Sequence, residues 1–118
     1  AALDTARARS DAAVQRAEVR HVRVSLEREI DLAVQERQHA REIRDALRET
    51  VILPTREALR QSLAQYEAGS TDAALVLAAR RELLLAEERW AEAAAEVRRA
   101  DIRLLRLTGG DRKAGGGR

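Results

Sequence analysis

The 118-residue chain carries 22 basic and 20 acidic residues, a formal net charge of +2, with no cysteine, one Trp, one Tyr and no Phe. Aromatics at 2 % and charged residues at 36 % exclude an ordinary globular core, which draws much of its buried area from large rings, and favour long helices. Disulfide and thiolate chemistry are excluded as well. Signs alternate closely, as in R-R-E-L-L-L-A-E-E-R from Arg80 to Arg89, which describes a solvated, ion-paired helix face. Nucleic acid would require a one-sided basic patch, so no nucleic-acid partner is expected.

In chain order, the first element runs from Leu3 to Tyr66, with Pro54 as its one breaker. Val19, Leu26, Ala33, Ala40 and Leu47 recur every seven residues, joined by Val22, Ile30, Ile43 and Val51. This is an apolar stripe at helical spacing, and it predicts a helix over about 3–68. Pro54 lacks a donor and crowds the preceding turn, which predicts a kink between Val51 and Thr55. T-R-E-A-L-R-Q-S-L-A-Q-Y then resumes the amphipathic pattern.

Y-E-A-G-S-T-D, Tyr66 to Asp72, reads as a corner. Gly69 supplies the permissive backbone that ends a helix, and Ser70, Thr71 and Asp72 offer oxygens to cap the next. A turn at 69–71 is short enough to make the two helices antiparallel neighbours.

The second helix, expected over about 72–108, has the cleanest pattern in the chain. Val76, Leu83, Trp90, Val97 and Leu104 are spaced by seven, and three residues after each come Ala79, Ala86, Ala93, Ala100 and Leu107. Large residues in one column and small ones in the other make a packing seam in which backbones approach closely. A second flank, Leu77, Leu84, Ala91 and Leu105, is also apolar, with Arg98 the exception. Two seams predict neighbours on both sides. Thr108-Gly109-Gly110 is the stop, and D-R-K-A-G-G-G-R at 111–118 has the composition of a disordered tail. The resulting expectation is an all-α fold, a long antiparallel helical hairpin of coiled-coil type over residues 1–110.

Catalytic chemistry finds little support. Glu-x-x-His occurs at Glu18/His21 and Glu36/His39, the spacing that holds di-metal centres in some bundles. The two copies lie about 27 Å apart along one helix, and the second helix offers no matching motif, so no metal site is expected. Ser10, Ser25, Ser62 and Ser70 form no set with a histidine and an acid. Without strands there is no phosphate-binding glycine loop. No enzyme activity and no cofactor are expected. Trp90, at a heptad position, reads as a packing residue, and Tyr66 as one that packs across the end of the hairpin. No run approaches the ~20 apolar residues of a membrane-spanning helix.

The corner also carries a family likeness. Tyr66, Gly69, Val76, Leu77 and Ala79, followed by a long Ala/Leu/Glu helix closing on Leu107-Thr108-Gly109-Gly110, resemble the C-terminal part of a TolC-family outer-membrane efflux protein. Ile52-Leu53-Pro54 resembles members of its heavy-metal and related branches. The architecture covers nearly the whole chain, while the motifs are confined to Ile52–Gly110. Two positions depart from the family pattern: Leu75, where many relatives have Asp, and Ala68, where Val is frequent.

This resemblance implies a role. The chain would be part of a periplasmic α-barrel, the tunnel of a homotrimeric outer-membrane channel whose remaining parent chain supplies the membrane strands. Its tip, formed by Tyr66, Ala68, Gly69, Ser70, Thr71 and Asp72, would close the channel at rest and dock onto a periplasmic adaptor protein and, through it, an inner-membrane pump. Two other readings fit the same residues. One is the helical hairpin of the adaptor itself, and the other is a cytoplasmic coiled-coil dimerisation or scaffolding module.

Overall fold

Apart from one proline, nothing between Ala2 and Glu67 opposes helix, and the computed structural model, which describes residues 2–109, is helical almost throughout. Helix α1 spans Ala2–Leu47, a π-helical turn follows at Arg48–Ile52, α2 spans Leu53–Glu67 and α3 spans Ala73–Leu107. Among the described residues there is no strand. The tail expected at 111–118, together with Gly110, lies outside the described residues.

The stretch from Ala2 to Glu67 forms one long arm. At 1.5 Å per residue it should measure about 100 Å, and the molecule measures 100 × 31 × 16 Å. Helix α3, with 35 residues, is about half that length and packs back along the arm against α2, the π turn and the C-terminal part of α1. Cross-helix ion pairs mark the alignment: Arg41 meets Asp101 at 3.5 Å, and Arg103 meets Glu36. Roughly the first 28 residues of α1 therefore project past the end of α3, by about 40 Å. The exposed area of 9442 Å² compares with about 6,400 Å² expected of a compact monomer of this size.

The core is a seam rather than a centre. Its buried residues are Ala33, Ala40 and Ile52 from the long arm and Ala86, Val97, Ala100 and Leu104 from α3. Most of these are alanines, as the sequence pattern required for close approach of two backbones. On the long arm the second column of the seam consists of Ile30, Arg37 and Arg44 of α1 and Val51 of the π turn, all half-buried. Val22 and Ile43, read as part of the same stripe, lie off this face and are exposed. The arginine stems cover apolar surface while their charged ends reach water.

Where a kink is expected between Val51 and Thr55, the helix carries a π turn at Arg48–Ile52, just ahead of Pro54. Leu53 N–H donates to the carbonyl of Arg48, five residues back, and Pro54 sits at the start of α2, where no donor is required of it. Just before it, the Thr50 hydroxyl donates to the Ala46 carbonyl at 2.6 Å, a contact that bends helices. The turn inserts one residue into the heptad count. In the column of 33, 40 and 47, the next covered positions are Thr55 and Ser62, not Pro54 and Gln61. That one-residue step also brings Leu59 onto the seam, half-buried.

Candidate functional site

The corner is built from two capping devices placed back to back. Helix α2 ends at Glu67 with Ala68 as its cap, and Gly69 takes φ = 76°, a left-handed conformation that side chains other than glycine's rarely adopt. Gly69 N–H then donates to the Tyr66 carbonyl at 3.0 Å and Ser70 N–H to the Gln65 carbonyl at 2.9 Å. This paired pattern satisfies carbonyls that the helix end would otherwise leave open. The Ser70 hydroxyl donates to the same Gln65 carbonyl at 2.9 Å.

Helix α3 starts with Asp72 in an extended conformation, its carboxylate accepting from Leu75 N–H at 3.3 Å. Asp72 is thereby committed to capping. Of the expected tip residues, Ala68, Gly69, Ser70 and Asp72 are exposed and Thr71 is half-buried. Tyr66 stays 48 % exposed. The long arm reaches its end here and α3 begins only at Ala73, so the ring has little to pack across. Leu75, in the first turn of α3, is 46 % exposed and adds apolar surface to the corner. A Cβ at Gly69 would meet nothing within 4 Å, so the backbone angle, not crowding, requires glycine there.

One turn or more up α2, Arg60 donates to both oxygens of Glu57 at 2.9 and 2.5 Å. Those hydrogen bonds hold the Glu57 carboxyl below its ordinary range.

The α3 seam residues are brought together as a single face. Ala86, Val97, Ala100 and Leu104 are buried, and Val76, Ala79, Leu83, Trp90 and Ala93 are half-buried. Leu77, Leu84 and Leu105 on the second flank remain exposed. Trp90 packs, as its heptad position implied, but its indole Nε1 is buried without an acceptor among the described residues. Such a donor ordinarily costs about 1–3 kcal/mol. The ring lines an open groove of about 390 Å³ with Arg48, Ile52, Arg56, Glu87 and Ala91. The sequence pattern does not reveal this groove, because it depends on the register step at the π turn.

His21 and His39 are both exposed, and Glu36 is engaged by Arg103. Among the described residues no three His, Asp or Glu side chains gather where they could hold a metal ion, and no helix is long and apolar enough to cross a membrane. No protein-family model, curated protein or solved structure matches the chain.

Proposed function

We propose that the chain is a wall segment of the periplasmic tunnel of a trimeric, TolC-family outer-membrane channel serving tripartite efflux or type I secretion. In this reading its corner docks onto a periplasmic adaptor protein that connects to an inner-membrane pump. The observation that carries the reading is the combination of a firmly capped, exposed corner with a ~100 Å arm whose apolar positions outnumber its partners. A stave of a closed barrel needs neighbours on both flanks, and the exposed Leu77, Leu84 and Leu105 supply the second flank. The small corner residues suit an end-to-end contact, because they let a partner's tip come close to the backbone. Leu75 adds an apolar anchor where many members of that family carry an acid.

Ala68 is the position for the test, since it is exposed and its side chain takes no part in the capping bonds. Ala68→Cys in the parent chain, paired with single cysteines at the tips of candidate adaptors, should give a specific crosslink in the periplasm of intact cells. A chain recovered from the cytoplasm with no crosslink would replace the channel by the coiled-coil module.

A further inference from the structure

We propose that the groove between the π turn and Trp90 is a binding site for a small amphipathic anion, a carboxylate or sulfonate carried on an apolar body. This inference does not depend on the channel reading. Its first support is alignment. Arg48 and Arg56 are eight residues apart, which in regular α-helix would rotate them about 80° from one another. The extra residue of the π turn cancels most of that rotation, so both guanidinium groups border one groove, with the buried Ile52 at its floor between them.

Charge supplies the second support. Among the described residues, neither Arg48 nor Arg56 is paired with a carboxylate, although Arg41 and Arg103, which flank the same seam, are matched across it to Asp101 and Glu36. Glu87 stands on the opposite wall without pairing with either, so the groove carries two cationic groups against one anionic group. Guanidinium groups bind carboxylates and sulfonates by charge-assisted hydrogen bonds, and they do so best beside a low-dielectric wall. Ile52, Trp90 and Ala91 form that wall.

The third support is size, with the ring of Trp90 forming part of the wall. The volume, about 390 Å³, falls in the range of small-ligand sites, ~300–1,000 Å³. It holds a chain or ring of modest size.

Trp90 is the one tryptophan in the sequence, so its fluorescence reports on the site alone. Titration of the 118-residue chain with decanoate should give a saturable, one-to-one change in Trp90 emission, with 1-decanol as the neutral control. The double variant Arg48→Gln/Arg56→Gln, its helicity checked by circular dichroism, should bind decanoate at least about tenfold more weakly. Trp90→Phe, followed by calorimetry, should weaken binding while leaving the arginine dependence in place. Equal binding of decanoate by the parent and the double variant, equal binding of decanol and decanoate, or no saturable response would each overturn the site.

Discussion

The two halves of α1 have the same heptad column and opposite fates. Val19 and Leu26 in the N-terminal half are 58 % and 41 % exposed, whereas Ala33 and Ala40, one and two heptads on, are 3 % and 7 % exposed. The column narrows from Val19 and Leu26 to Ala33 and Ala40 while its heptad spacing stays the same. What also changes is that α3 ends. A heptad repeat therefore states that a helix has a partner along its length, and the length of the other helix decides where that partner is found within the chain. The unpartnered half presents Leu3, Val14, Val19, Val22 and Val24 to solvent.

Substitutions inside and outside the packed region should therefore have very different costs, measured as shifts in urea midpoint at constant slope. The largest effect is expected where α3 packs against the long arm. Leu104→Ala empties a buried seam position and should destabilise by about 2–4 kcal/mol. Next comes Ala86→Leu, which forces extra volume between two closely packed backbones and should cost about 1–3 kcal/mol; a neutral result would mean the seam is looser than its burial indicates. Asp72→Ala removes the cap of α3 and should cost about 0.5–1 kcal/mol, with fraying confined to the first turn of α3 in amide exchange. The smallest effect falls in the projecting half: Val19→Ala should be neutral or stabilising by up to about 0.5 kcal/mol, since alanine favours helix and no packing is lost. A clear destabilisation by Val19→Ala would show that the projecting half is already covered in solution.

On α3 the burial follows the heptad spacing, with Ala94, Ala95 and Asp101 half-buried beside it. Val76, Ala79, Leu83, Ala86, Trp90, Ala93, Val97, Ala100 and Leu104 all lie on the face packed against the long arm, because an uninterrupted helix turns sequence spacing directly into geometry. Gly69 and Asp72 are legible for a similar reason, since their roles are local: one left-handed residue and one capping carboxylate, each satisfied within a few positions. The place of Tyr66 is not legible in this way, because it depends on where α3 begins, across the corner. On the long arm the sequence pattern mixes two columns. Ile30 and Val51 face α3 while Val22 and Ile43 do not, and the partner helix makes the choice between them.

Pro54 marks the boundary between the two kinds of information. Its missing donor and its ring dictate a disturbance of the helix at that point, wherever the chain ends up. Whether the disturbance becomes a sharp kink or an added residue is decided by packing: the π turn keeps the arm alongside α3 and shifts the seam to Thr55, Leu59 and Ser62. By itself, then, the sequence determined two long helices, the corner that joins them and the face that α3 buries, all of which are set within one or two helical turns. Tertiary structure decided the register after residue 47, the groove that brings Arg48, Arg56 and Trp90 together, and the half of α1 left without a partner. These follow from how two helices of unequal length align, a property that neither helix carries alone.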